Sequence, residues 1–328
     1  MERKIGMWGY VRNRTNDGYG YAGLKIVEAL QSLGISVFWQ DEDAAISLSF
    51  TQPQDYGGNS KQYRIGYTPW ESSKIPNHWI EPMNWRDELW TTSSACKEWF
   101  VDCGVTKDIR VVPHGIDSKE WSLSRREKTD PFIFLHMGEP ADRKGGQEVF
   151  DAFLNTFAGD EDVYLIYKTT SWVEARWLDE TGSIIGAVDK HPRVEINSGS
   201  LAIDQLDELF SKVHCLVYPS KGEGFGMIPL QTAATGMPTI IPDWGGMKEF
   251  SKYCINVDYE VGPSQHGYHL GVWAFPDLND ISFKMRWVYD NYDQASSEAY
   301  DNAKIIRETM KWEDILRPVV EDLDRLWS

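Results

Sequence analysis

Three glycines and one carboxylate alternate in Lys221-Gly-Glu-Gly-Phe-Gly226, and the run continues as Met-Ile-Pro-Leu-Gln-Thr-Ala-Ala-Thr-Gly-Met-Pro238. Glycines just ahead of a helix let another group approach the backbone closely. The unpaired N–H groups of a first helical turn favour an anion such as phosphate. The same glycines also suit a plain, tight strand–turn–helix connection. Arg143 and Lys144 stand side by side in Gly138-Glu-Pro-Ala-Asp-Arg-Lys-Gly145, where a cation pair is ordinary solvated charge unless an anion is brought to it. Trp70-Glu71 joins an aromatic face to a hydroxyl-accepting carboxylate, a pairing that suits a sugar, or else a core indole beside a surface acid. Gly18-Tyr-Gly20 is a second glycine-rich turn, with Arg12 and Arg14 just upstream. Asp41-Glu-Asp43 sits in a poor context for a metal, and His114 in Pro113-His-Gly-Ile-Asp117 reads as structural rather than catalytic.

These segments need elements to hold them. Lys4–Gly9 is expected to be a strand, followed by a polar loop through Gly20 and a helix over Tyr21–Leu33 that Gly34 stops. Strands are expected at 35–39, 64–67, 88–92 and 109–112, with a helix at 94–103. This alternation is the grammar of a parallel sheet. Pro113–Asp117 and the polar stretch after it break the pattern, so the boundary is placed at residue 128. A second α/β unit then runs from Phe132: strands at 132–136, 163–167, 213–218 and 238–241, with helices ending near Phe157 and at 204–212 and 228–235. The tail 311–327 carries apolar residues at helical spacing, with Pro318 inside. Two such units in one chain can form a pair of facing sheets with a cleft between them, and ligands in these folds lie where strands end in loops and helix N-termini.

The chain has 328 residues and a formal net charge of −17, with 41% hydrophobic and 25% charged residues, which excludes global disorder. Residues 1–128 are nearly neutral at −1, whereas 129–328 carry −16. Such acidity argues against a dedicated nucleic-acid binder. No stretch approaches the roughly 18 apolar residues of a membrane span. The opening residues lack the apolar core of a signal peptide, so a cytoplasmic protein is expected. Four scattered cysteines imply neither a disulfide framework nor a zinc site.

The segment 218–238 resembles the signature of the family 4 retaining glycosyltransferases, nucleotide-sugar enzymes of the GT-B fold, in Glu223-Gly-Phe-Gly226 and Gly236-Met-Pro-Thr239. A second Glu usual in the family, eight residues after the first, is Gln231 here. Phe134–Gly145 resembles the family's strand and Arg/Lys loop. Lys144 matches the motif lysine; the usual Arg after the first glycine is Glu139, so Arg143 is the substitute candidate. Asp243-Trp-Gly-Gly-Met-Lys-Glu249 resembles the family's Gly-Gly loop, and Trp90–Ser94 through Val111–Asp117 its stretch leading to the interdomain link. Tyr67-Thr-Pro-Trp-Glu71 resembles a Trp-Glu signature in part of the family, and Gly18–Gly20 its first glycine-rich loop.

The resemblance implies an α/β fold of two Rossmann-like domains facing each other across a cleft. Residues 1–128 would bind acceptor, 129–308 the nucleotide sugar, and 309–328 would cross back onto the first domain. It implies transfer of a sugar from a nucleotide diphosphate sugar to a hydroxyl, with retention and without metal or other cofactor. Arg143 and Lys144 would hold the diphosphate and Glu223 orient the sugar. Gly20, Gly224, Phe225, Gly226, Met227, Gln231, Gly245 and Gly246 would complete the donor site, and Arg14, Tyr19, Trp70 and Glu71 would meet the acceptor. That acceptor is open among glycan, lipid, protein and modified nucleic-acid base. A catalytically silent sugar-nucleotide module, fed by Glu139 and Gln231, and an epimerase or phosphorylase of the same fold are the alternatives.

Overall fold

The computed structural model describes residues 2–9, 18–157, 161–169, 177–178, 184–186 and 191–327. Arg12 and Arg14 lie outside them. In the first lobe, β1 (Lys4–Gly9), β2 (Ser36–Trp39), β3 (Ile46–Phe50), β4 (Tyr63–Tyr67), β5 (Glu88–Thr91) and β6 (Ile109–Val111) are joined through α1 (Gly18–Ser32), α2 (Asn77–Asn84) and α3 (Ser94–Asp102). They form one parallel sheet in the order β2-β1-β3-β4-β5-β6. β3 is absent from the sequence expectation. Its Ile-Ser-Leu-Ser-Phe pattern looks half-solvated, yet every residue is buried, and Ser49 Oγ accepts a hydrogen bond from Gly57 N at 3.0 Å.

The second lobe holds β7 (Phe132–Met137), β8 (Val163–Lys168), β9 (Trp177–Leu178), β10 (Ile184–Gly186), β11 (Val194–Asn197), β12 (Cys215–Val217), β13 (Thr239–Pro242) and β14 (Ile255–Val257). A hairpin of β15 (Tyr259–Pro263) and β16 (Val272–Pro276) follows. Its helices are α4 (Gly146–Thr156), α5 (Ile203–Lys212), α6 (Met227–Ala234), α7 (Leu278–Asp290) and α8 (Tyr292–Thr309), and the chain closes with α9 (Trp312–Leu323). The parallel sheet runs β11-β8-β7-β12-β13-β14, while β9 and β10 pair apart from it. The chain builds outward from β7 through β8 to β11, then returns to lay β12 on the other side of β7. Such a reversal opens a crevice beyond the strand ends. The loops after β7 and β12 carry Arg143, Lys144 and Glu223 into it.

Helix α9 returns to the first lobe. Trp312, Leu316, Val319, Val320 and Leu323 share a core with Ile5, Ile26 and Leu30, and Trp327 Nε1 donates to the Lys4 carbonyl at 3.2 Å. The two crossings between lobes touch: Ile116 N donates to Met310 O at 2.7 Å, and a Cβ on Gly115 would stand 2.6 Å from Trp312 N. Buried Lys25 on α1 holds the first crossing through Asp117 at 2.9 Å and Glu120 at 2.5 Å.

Buried histidines make this fold acid-sensitive. His136 stacks on Tyr167 with 4.9 Å between ring centres, and His214 on Phe132 with 4.4 Å. Burial pushes both imidazoles down to about 4, well below the ordinary value near 6.5. The unfolded chain therefore binds protons that the folded one refuses. Stability is full above about pH 6.5 and drains as pH falls toward 4, by up to about 1.4 kcal/mol per unit for each histidine. Urea unfolding from pH 7.5 to 4.5 is expected to show this slope, and His214→Gln to remove its own share while that of His136 remains. A level profile would refute it.

Candidate active site in the cleft

Strand β12 is wholly buried and runs into Tyr218-Pro-Ser-Lys-Gly-Glu223. Gly226, at φ 100°, turns this loop into α6, a conformation that favours glycine. Opposite, the loop after β7 ends at Gly145, whose φ is 72° and whose missing Cβ makes room for the Pro219 carbonyl. The two loops are thus seated on each other. Lys221 N donates to Arg143 O at 2.7 Å, and Arg143 NH1 to Gly222 O at 2.5 Å.

Between the loops one carboxylate gathers four donors. Glu223 Oε1 accepts from Lys144 Nζ at 2.6 Å, Ser220 Oγ at 2.7 Å, Tyr218 OH at 2.9 Å and Arg143 NH1 at 3.1 Å. Burial alone would raise the Glu223 carboxyl; Lys144 and then Arg143 overcome it and hold the group down to about 2. Burial, followed by the neighbouring Arg143, lowers Lys144 in spite of Glu223. Arg143 moves the other way: burial would lower it, but Glu223 and Glu71 raise it. Two partly buried cations, with Glu223 in direct contact and Glu71 only at the 4.0 Å edge of Arg143, leave this corner suited to a further anion. Lys221 is engaged elsewhere, on Asp142 at 2.5 Å and Glu148 at 2.8 Å.

The glycines do a different job from the one their spacing suggests. A Cβ on Gly222 would overlap the Glu71 carbonyl, and one on Gly224 would stand 2.5 Å from Pro69 Cβ and 2.9 Å from Trp70 N. Both glycines therefore let the first lobe close directly onto the loop. Thr92 Oγ1 confirms the contact by donating to Gly224 O at 2.6 Å. Gly245 and Gly246 are buried behind this loop. Gly246 N donates to Glu223 O at 2.8 Å, and a Cβ there would overlap the Gly224 carbonyl. They brace the loop and do not line the cleft. Glu249 accepts from Ser94 N at 2.7 Å, capping α3 across the lobe boundary.

The cleft holds about 560 Å³. Arg143, Lys144, Glu223, Gly224, Phe225, Gly226 and Met227 line it from the second lobe, and Tyr19 and Glu71 from the first. Tyr19 OH lies 3.2 Å from Thr68 Oγ1. Glu71 approaches His269 Nε2 at 3.5 Å and Arg143 at 4.0 Å; burial would raise its carboxyl, but His269 and then Arg143 lower it. Gly20 is buried in α1 and Gln231 is half-buried on α6, both off the cleft wall. Trp70 is a core residue: it packs edge-on against Trp79 at 4.5 Å, and its Nε1 donates to Lys74 O at 2.9 Å.

Sequence reasoning missed several participants. Tyr218 and Ser220 sit inside the glycine-rich segment, where their nearness to Glu223 was a usable signal. Lys168 and Thr169 continue an apolar strand into polar residues at its C-terminal end, a second signal. The hairpin had none. It reaches from the second lobe to the first: Val272 N donates to Ser73 Oγ at 2.8 Å, Trp273 Nε1 to Glu71 O at 3.0 Å, and Lys74 bridges Leu270. Among the described residues, no group of three or more His, Cys, Asp or Glu is placed to hold a metal ion. Nor is any described helix long and apolar enough to cross a membrane.

Residues 134–258 match the family described as Glycosyl transferases group 1. A putative glycosyltransferase 45 of a Sulfolobus islandicus filamentous virus is 24% identical over 227 residues, 65% of this chain and 61% of that protein. Glycogen synthase of Mycobacterium tuberculosis is 28% identical over 145 residues, 43% of this chain and 33% of that one. The match thus spans about three fifths of the viral relative and a third of the synthase. Among solved structures, sucrose-phosphate synthase from Thermosynechococcus elongatus superposes with a TM-score of 0.71 at 14% identity, covering 99% of both chains. HepE from Anabaena, solved with UDP and glucose, gives 0.68 at 12% identity, covering 99% of this chain and 100% of that one. The chain thus has the GT-B fold, two Rossmann-like sheets facing across a cleft, and its second lobe matches the family described as Glycosyl transferases group 1 over residues 134–258, through the site itself.

Proposed function

We propose that the protein transfers a sugar from a nucleotide diphosphate sugar to a hydroxyl acceptor, with retention of anomeric configuration and without a metal ion. One observation carries this reading: two partly buried cations, Arg143 and Lys144, converge on Glu223 where β7 and β12 end, with Glu71 of the first lobe 4.0 Å from Arg143. As the bond from the sugar to the diphosphate breaks, negative charge builds on the departing oxygens and positive charge on the sugar. Groups already aimed at developing charge supply the largest part of such catalysis. Lys144 and Arg143 meet the diphosphate, and Glu223, relieved of part of their charge, orients the sugar hydroxyls. The two cations provide the charge that a divalent ion supplies in other sites, which supports metal-independent transfer. UDP in the HepE structure supports a nucleotide donor.

The test is thermal unfolding against UDP-glucose, UDP-N-acetylglucosamine and GDP-mannose, followed by nucleotide release. A ligand at a hundred times its dissociation constant stabilises by about 2.7 kcal/mol, a shift of several degrees. At least one donor is expected to give that shift and to be slowly hydrolysed. A shift without hydrolysis or transfer would favour the silent module that Glu139 and Gln231 suggest; no shift at all would defeat the reading.

A further inference from the structure

His114 lies between β6 and the crossing to the second lobe, on the wall of the cleft. It is only 4% exposed, and its ring is enclosed by Phe225 at 5.1 Å, Trp312 at 5.4 Å, Phe50 at 6.0 Å and Tyr67 at 6.3 Å. Neither ring nitrogen has a hydrogen-bond partner. No other cleft-wall residue among the described ones leaves two buried side-chain atoms bare. Burial pushes this imidazole down to about 3, so it is neutral in any ordinary buffer.

A buried polar group left unpaired is costly, and in a native structure it calls for an explanation. The aromatic enclosure offers none from the protein. The residue borders the cleft, and although both ring nitrogens are covered, the cleft is the side from which a ligand can approach the ring. A neutral imidazole presents one N–H and one lone pair, so it brings no charge to attract a phosphate. It matches a hydroxyl, which also donates and accepts. His114, Phe225 and Glu223 line the same cleft, so a hydroxyl of a group held by Glu223 is the partner that the cleft offers.

We propose that His114 is a sugar-contacting residue, hydrogen-bonded to one hydroxyl of the transferred sugar and selecting donors that carry it. This rests on the reading of the cleft as a nucleotide-sugar site. The diphosphate is gripped from the second lobe, and the sugar is held between Glu223 of that lobe and His114 of the first. His114 therefore governs which sugar is accepted while leaving the nucleotide's affinity alone.

The experiment compares wild type, His114→Phe and His114→Asn with the preferred donor of the three-member panel, its monodeoxy-sugar analogues, and the matching UDP or GDP. His114→Phe is expected to lower kcat/KM roughly 10–100-fold, because a polar site loses its hydroxyl partner. Its affinity for the bare nucleotide should stay within about twofold. One monodeoxy donor should be poor with wild type but no worse than the parent sugar with His114→Phe, and His114→Asn should recover part of the loss. On wild type labelled with 15N-histidine, the donor should shift the His114 resonances and the bare nucleotide should not. Equal losses on every analogue, equal loss of nucleotide affinity, or unmoved imidazole resonances on a donor that binds would each overturn the proposal. The labelled wild type answers even if His114→Phe fails to fold. Failure of wild type to bind any donor would instead overturn the nucleotide-sugar reading, and this proposal with it.

Discussion

Lys144→Ala is expected to lower turnover by about 100–1,000-fold while the protein remains folded. The magnitude is that of removing one preorganised donor from a site where charge develops. The ammonium is 2.6 Å from Glu223 and 2.9 Å from Tyr218 OH, on the wall of the cleft. The fold survives because Arg143, Ser220 and Tyr218 still hold Glu223. The loss should fall on kcat, since the charge that Lys144 meets is fully formed only as the diphosphate leaves. Steady-state rates at saturating donor, beside a thermal melt, decide it. Turnover within a few-fold of wild type would remove Lys144 from the chemistry.

Glu223→Ala is expected to act on stability as well as on rate. Without the carboxylate, Arg143 and Lys144 face each other in a largely enclosed corner with only Glu71, 4.0 Å from Arg143, as counter-charge. Removing one partner from a fully buried ion pair costs about 3–5 kcal/mol, an upper bound here. UDP should return part of that loss, because its phosphates replace the missing counter-charge. The pH dependence has a definite sign. The folded carboxyl is held near 2, below its ordinary value of 4.5, so its stabilisation is present above about pH 4.5 and is lost as pH falls toward 2. The variant should lack that part of the acid response. Urea unfolding with and without UDP measures both effects. A variant as stable as wild type, or one indifferent to UDP, would contradict the account of this corner.

What was legible in the chain followed from local order. The first strand is read to the residue, and the loops holding Arg143, Lys144 and Glu223 stand out because strand, glycines and helix follow one another within a few positions. Ile46–Phe50 was overlooked although its alternation is itself a strand signal; what the pattern does not carry is the burial of Ser47 and Ser49, which depends on neighbours distant in sequence. Trp70 has the composition of a sugar platform, yet Trp79 and Lys74 claim its ring and its N–H. Gly222 and Gly224 were legible as glycines but not as a landing for Pro69–Glu71, since the first lobe lies about 150 residues away in the chain. Residues 255–308 carried no motif, and so the hairpin and both long helices of that stretch went unread.

The hairpin has a mechanical consequence. The chain passes between the lobes near Ile116 and Met310, and Val272 and Trp273 fasten the lobes again at Ser73 and Glu71. A book bound at its spine and tied along its fore-edge does not fall open. Wide parting of the halves would break those ties and strip Gly222 and Gly224 of their covering. Small sliding of one packed surface over another needs neither. Substrate traffic in this protein is therefore expected to go through the flanks of the crevice by short shear, with the covers kept nearly shut.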